Sequence, residues 1–170
     1  AMSTDPSHQR SAMVDRQIAA RGITNEAILS AFREVPRETF VEPGMEEFAY
    51  ADGLLPIGEG QTISQPYIVA SMIDAADVKR GDRVLEVGAG SGYAAAVLSR
   101  IADRVFAIER HEVLARKARE RLDSLNYDNC SIVAGDGIRG MPDEAPFDAI
   151  LVAARIAQIP EALKRQLRIG

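Results

Sequence analysis

Three glycines at alternate positions, Gly88, Gly90 and Gly92, follow the apolar run Val84-Leu85-Glu86-Val87 and precede the helix-forming run Ala94-Ala95-Ala96-Val97-Leu98. A strand that enters such a turn and leaves as a helix is a nucleotide-binding element. Glycine accepts positive φ and puts no Cβ between backbone and ligand, and the helix start offers N–H groups to a carboxylate or phosphate. A dinucleotide fingerprint spaces its glycines G-x-G-x-x-G. Here the third glycine comes one residue early and Tyr93 stands in its place, which argues against an NAD-dependent dehydrogenase. A second apolar run, Val105-Phe106-Ala107-Ile108, ends on Glu109, 109 − 88 = 21 residues past the first glycine. That is about where a doubly wound fold places the acid whose oxygens accept from both ribose hydroxyls. A third run, residues 130–134, ends in Gly135-Asp136-Gly137. Asp136 could accept there from the exocyclic amine of an adenine, or simply close a turn. Glu86 is a charge inside an apolar strand and needs a buried partner, either an N–H of the glycine turn or a cofactor's ammonium.

The elements that must position these residues alternate from Gly81 onward. Strands are expected near 83–87, 104–108, 130–134 and 147–153, and helices near 91–101, 111–125 and 159–168. Strands alternating with helices predict an α/β fold, a doubly wound (Rossmann-like), mostly parallel sheet. Ala115, Ala118, Leu122 and Leu125 repeat at helical spacing and read as a core face, the charges from Arg116 to Arg121 as a solvated one. Upstream, residues 3–9 are polar and expected to fray. A first helix is expected over 9–21 with Gly22 as C-cap, and a second over 25–34 with Thr24 as N-cap, stopped by Pro36. Residues 36–63 hold three prolines and four glycines without periodicity, a long irregular stretch of the kind that is usually functional. Ser64-Gln65-Pro66 then opens a helix over 66–76, with Pro66 in the first turn where its missing N–H is not needed.

Composition narrows the function classes. The chain has 170 residues, enough for one domain with a real core. Its 20 basic and 25 acidic residues leave it mildly acidic, without the basic stripe that nucleic acid requires. No run approaches the roughly 18 apolar residues of a membrane span, and no signal peptide is visible. The single cysteine, Cys130, sits in an apolar strand and reads as a core residue of a reducing, cytoplasmic compartment. His8 and His111 are the only histidines and lie apart, so no metal site is expected. Ala1-Met2 reads as a cloning remnant.

The glycine spacing resembles that of S-adenosyl-L-methionine (AdoMet) methyltransferases, and the upstream residues resemble one family among them. Val35-Pro36-Arg37-Glu38-Thr39-Phe40-Val41, Ala49-Tyr50-Ala51-Asp52, and the run from Leu55 through Thr62-Ile63-Ser64-Gln65-Pro66 to Tyr67 are similar to the active-site segment of the protein-L-isoaspartate O-methyltransferases. The similarity runs from about Met13 to Gly170. It implies that AdoMet is the cofactor and S-adenosyl-L-homocysteine (AdoHcy) the product. It implies that isoaspartyl-containing proteins are the substrates, methylated on a free α-carboxylate in protein repair. By the same resemblance Ser64 is the active-site serine, and Ile57, Gly58 and Thr62 belong to the substrate side. Glu86, Gly88, Gly90, Gly92, Glu109, Asp136 and Gly137 belong to the cofactor side. From the residues alone, Ser64 reads equally as an N-cap for the helix at Pro66, and the two roles are compatible.

This reading divides the chain into an N-terminal helical and active-site segment, 10–80, and an AdoMet-binding α/β core, 81–170. The family carries a small Ala- or Pro-rich turn after the fourth strand where this chain has Arg155-Ile156. It also continues past Gly170 with further strands, so the C-terminal strands are expected to be missing here. The strand Ala149-Ile150-Leu151-Val152 is then an apolar edge open to self-association. Two other functions remain open at this stage: methylation of an aspartate carboxylate in a modified peptide, and a non-catalytic fragment of the AdoMet fold.

Overall fold

The structure, a computed structural model, describes residues 5–169; Ala1 and Met2, read above as a remnant, lie outside the described residues, with Ser3, Thr4 and Gly170. Helix α1 (Pro6–Met13) starts earlier than the sequence suggests, because Asp5 caps it by accepting from the Ser7 N–H at 2.9 Å and Pro6 occupies its first turn. Residues 6–9, expected to fray, are therefore helical. The helix widens into a π-turn over Val14–Ile18, tightens over Ala19–Arg21 and ends at Gly22 in a left-handed conformation, φ 104°. Helix α2 (Glu26–Glu34) is capped by Asn25, whose side chain accepts from the N–H groups of Ala27 and Ile28. Thr24, one residue earlier, does not serve. Pro36 follows the helix end, and Val35 is already extended.

Within the stretch expected to be irregular lies a short hairpin, β1 (Leu55–Gly58) with β2 (Gln61–Ile63), antiparallel with a register shift between Pro56 and Gly58. Helix α3 (Pro66–Ala75) follows. Its N-cap is Gln65 without a side-chain cap bond, so Ser64 is not the cap.

The remaining chain forms β3 (Arg83–Val87), α4 (Tyr93–Ser99), β4 (Arg104–Glu109), α5 (Glu112–Ser124), β5 (Cys130–Ala134), β6 (Ala149–Val152) and α6 (Glu161–Arg165). The four strands make one parallel sheet in the order β5-β4-β3-β6. Side chains alternate across it. Val84, Val105, Ala107, Ile132 and Leu151 join the large core shared with α4, α5 and the N-terminal segment, while Leu85, Val87, Phe106 and Ile108 join a smaller core with Phe147 and Leu163. Ala115, Ala118 and Leu122 of α5 are buried in the large core as their spacing requires. The β6 edge is less bare than expected. The segment after α6 begins to pair beside it, with Phe147 N–H donating to Gln166 O and Arg168 N–H to Phe147 O, each at 2.7 Å. Among the described residues no helix is long and apolar enough to cross a membrane.

Candidate active site

The carboxyl ends of β3, β4, β5 and β6 open into a cleft of about 750 Å³ that α3 and the β1–β2 hairpin close from the opposite side. Its sheet side carries Glu86, Gly88, Gly90, Glu109, Asp136 and Gly137, and its hairpin side carries Thr62 and Ser64. Gly92 lies one turn back, under α5.

The glycines are needed where they stand. Gly88, Gly90 and Gly92 all take positive φ, 94°, 54° and 90°. A Cβ on Gly88 would come within 3.0 Å of the Ala154 amide nitrogen, and one on Gly92 within 3.0 Å of the Ala118 Cβ. At Gly137 a Cβ would lie 2.3 Å from Val87 Cγ1, which explains a glycine after Asp136. The turn is not the open anion cradle that the motif suggests. The N–H groups of Gly88 and Ala89 both donate to Ile108 O, at 2.8 and 3.1 Å, and that of Gly92 donates to Ala89 O. The Gly90 N–H donates to Glu109 Oε1 at 2.9 Å, and the Tyr93 N–H to Ser91 Oγ at 3.2 Å.

Glu109 is buried at the end of β4, and its Oε2 also accepts from the His111 N–H at 2.8 Å. Both oxygens are thereby held toward the cleft. Glu86 is only 2% exposed, and its Oε1 has no hydrogen-bond partner among the described residues. Of the two partners that the sequence offers Glu86, a glycine-turn N–H is not used, because Ile108 O, Ala89 O and Glu109 take those donors. Burial, and secondarily the nearby Glu109, push the Glu86 carboxyl up to about 8. Asp136 is exposed at the end of β5 and accepts from the Ile138 N–H at 3.0 Å, so it both closes the turn and faces the cleft.

Ser64 is exposed on the cleft wall, and its hydroxyl makes no hydrogen bond among the described residues. Its carbonyl is tied down by Arg37. Ile57 does not line the cleft: its side chain is fully buried, 3.5 Å from the point where a Gly90 Cβ would be. Gly58 sits at the exposed hairpin turn. Any contact these two make with a ligand is through their backbone.

Several cleft and support residues escaped the sequence reading. Arg110, His111 and Arg155 line the cleft, and only their nearness to Glu109 and to the end of β6 could have pointed to them. Arg121, expected on a solvated face, is half-buried and donates from Nη1 to Ser91 O at 3.0 Å, bracing the glycine turn from behind. Arg37 is fully buried, and nothing in its local sequence marks it so. Cys130, in β5, has its thiol pushed up to about 12 by burial.

An open parallel sheet with a glycine turn after one strand, an acid ending the next and a cleft across their carboxyl ends is the Rossmann-like fold of AdoMet-dependent methyltransferases. Over residues 8–170 the chain matches the family protein-L-isoaspartate(D-aspartate) O-methyltransferase, and it belongs to that family. It is 55% identical over 163 residues to protein-L-isoaspartate O-methyltransferase 2 of Pelobacter propionicus, which covers 96% of this chain and 72% of that protein. It is 58% identical over 164 residues to the protein-L-isoaspartate O-methyltransferase of Methylorubrum extorquens, with the same coverage of 96% and 72%. A solved protein-L-isoaspartate O-methyltransferase superposes with a TM-score of 0.85 at 30% identity, over 95% of this chain and 52% of that one. The chain thus spans about half of that solved protein. A Plasmodium falciparum structure in complex with AdoHcy superposes with a TM-score of 0.80 at 24% identity, which shows the shared fold.

Proposed function

We infer that the chain is an AdoMet-dependent methyltransferase that esterifies the free α-carboxylate of L-isoaspartyl residues in damaged proteins, a protein-repair reaction. The observation that carries this is the meeting of Ser64, its hydroxyl unpartnered, with the glycine turn, Glu109 and Asp136 in one cleft. The residues fit the cofactor. Gly88 and Gly90 let backbone approach it, Glu109 offers oxygens to ribose hydroxyls, and Asp136 with Gly137 faces the base. The orphaned Oε1 of Glu86 suits the ammonium of the cofactor's amino-acid end. A turn whose N–H groups are already engaged suits a ligand without phosphate better than a dinucleotide.

The bound cofactor supplies an electrophilic methyl group on a sulfonium. The acceptor is a carboxylate already ionised at neutral pH, so the chain needs no general base. Ser64 donates a hydrogen bond that orients this carboxylate, with Thr62 beside it and the backbone of Ile57 and Gly58 behind. Bringing the reacting atoms to about 3–3.5 Å is the protein's main contribution. Excluding water helps, because the two charges neutralise as the methyl moves. In this reading residues 10–80 form the acceptor side and 81–170 the cofactor side.

The test is transfer of labelled methyl from AdoMet to an isoaspartyl peptide and to the same peptide with ordinary aspartate. Preference for the isoaspartyl form is expected, and Ser64→Ala should cut turnover while AdoMet affinity holds. Equal transfer to aspartate would point instead to the modified-peptide reaction, and no transfer at all to a non-catalytic fragment.

The partners under this reading are isoaspartyl-containing proteins, in the cytoplasm, with no nucleic acid or membrane. Self-association would use the part of the β6 edge that residues 166–168 leave open. A single species in light scattering at every concentration would remove that last element.

A further inference from the structure

Arg37 is a buried cation with no carboxylate paired to it among the described residues. An interior guanidinium is costly unless its donors are met, and here backbone carbonyls from separate segments meet those of Nε and Nη2, while Nη1, on the side of Tyr93, makes no hydrogen bond among the described residues. Nε donates to Ala49 O at 2.6 Å, and Nη2 to Ser64 O at 3.0 Å and, more weakly, to Gly53 O at 3.5 Å. On its other face the guanidinium lies 4.8 Å from the ring centre of Tyr93, the first residue of α4 and a wall of the cleft. Burial pulls the Arg37 pKa down, with Tyr93 and Tyr50 opposing that shift. The Arg37 backbone is fixed in turn: its N–H donates to the Tyr50 hydroxyl at 3.1 Å, which also accepts from Arg10 Nε at 2.8 Å and donates to Glu38.

One planar group therefore touches both halves of the cleft, the peptide that carries Ser64 and the helix that leaves the glycine turn. We propose that Arg37 is a positioning residue that sets the distance between Ser64 and the cofactor side, and so aligns the acceptor carboxylate for methyl transfer. This rests on the function proposed above. The planar fork matters because one guanidinium can serve several carbonyls at fixed angles, which a lysine ammonium on a flexible stem cannot. The alternative, that Arg37 only stabilises the fold, makes a different demand: loss of stability with no selective loss of the chemical step.

The experiment compares wild type, Arg37→Lys and Leu122→Ala with an isoaspartyl peptide and AdoMet, alongside AdoHcy titration and thermal unfolding. Leu122 is buried near the end of α5 and does not line the cleft, and its truncation sets the scale of a purely structural defect. Arg37→Lys is expected to lower kcat by about 10- to 100-fold, the scale of a misplacement near 1 Å. The KM for AdoMet and the AdoHcy affinity should stay near wild type, and Leu122→Ala should lower Tm without that loss of kcat. An unchanged kcat, or a cofactor affinity that falls in step with kcat, overturns the inference. If Arg37→Lys does not fold, Arg37→Gln keeps a planar donor group but is too short to span Ser64 O and the Tyr93 ring, and the same split decides. A wild-type chain inactive on the isoaspartyl peptide brings down the proposed function itself. An active wild type with an indifferent Arg37→Lys brings down only the inference.

Discussion

Two strand ends, side by side in the sheet, carry buried carboxyl groups into the same cleft and treat them in opposite ways. At the end of β4, Glu109 accepts a backbone N–H on each oxygen, from Gly90 and from His111. One strand over, in β3, Glu86 is as deeply buried, yet its Oε1 meets no donor. Depth does not separate them; the supply of donors does. The glycine turn folds back so that its N–H groups face β4, which leaves Glu86 with the full cost of desolvation and a carboxyl raised to about 8. In the proposed reading the unpartnered Oε1 of Glu86 takes the cofactor's ammonium, and Glu109 accepts from its hydroxyls.

The comparison can be broken most severely at Glu109. If Glu109 binds ribose as proposed, Glu109→Ala removes two charge-assisted hydrogen bonds, each worth about 1.5–3 kcal/mol, and it also removes the acceptor of the Gly90 N–H. AdoHcy affinity should fall by about two or more powers of ten in calorimetry, and affinity within a small factor of wild type would contradict the assignment. At Glu86 the expected effect is on stability, and it depends on pH. Its folded value of about 8 lies above the ordinary 4.5, so between those values the native state holds a proton that the unfolded chain has released. The contribution is therefore complete below about pH 4.5 and is lost as pH rises toward 8, with a slope of at most about 1.4 kcal/mol per pH unit. Glu86→Gln should flatten that slope and leave the ligand-free protein more stable than wild type at pH 8. Denaturant unfolding across the pH range checks it, and parallel curves for the two proteins would show that Glu86 does not titrate there.

The contrast between the two acids also marks where sequence reading stops. Both were singled out in the sequence and both line the cleft, Glu109 from its distance to the glycines and Glu86 as a charge in an apolar run. The strands around them were legible because a buried parallel strand is a continuous apolar run bounded by turn residues. Which acid would receive the turn's N–H groups was not, since that depends on how residues 88–92 fold back across β4. The β1–β2 hairpin escaped for a related reason: Pro56, two glycines and a register shift leave it no alternation to read. Arg37 is the extreme case. Its burial is stabilised by carbonyls of Ala49, Gly53 and Ser64, which are brought together only by the tertiary fold. The start of α1 was legible in principle, since Asp5-Pro6 is a cap followed by a first-turn proline, and the polar composition around it masked the signal.

The most direct test of the central claim, that this cleft holds AdoMet with its ammonium at Glu86, is calorimetric titration with AdoHcy at pH 7 in two buffers of different ionisation enthalpy. Glu86, protonated at that pH when the cleft is empty, should ionise as the ammonium arrives, so binding should release close to one proton. The apparent enthalpy should then differ between the buffers, and the difference should vanish in Glu86→Gln. Binding whose enthalpy is the same in both buffers would contradict the role given to Glu86, and no binding at all would contradict the assignment of the cleft.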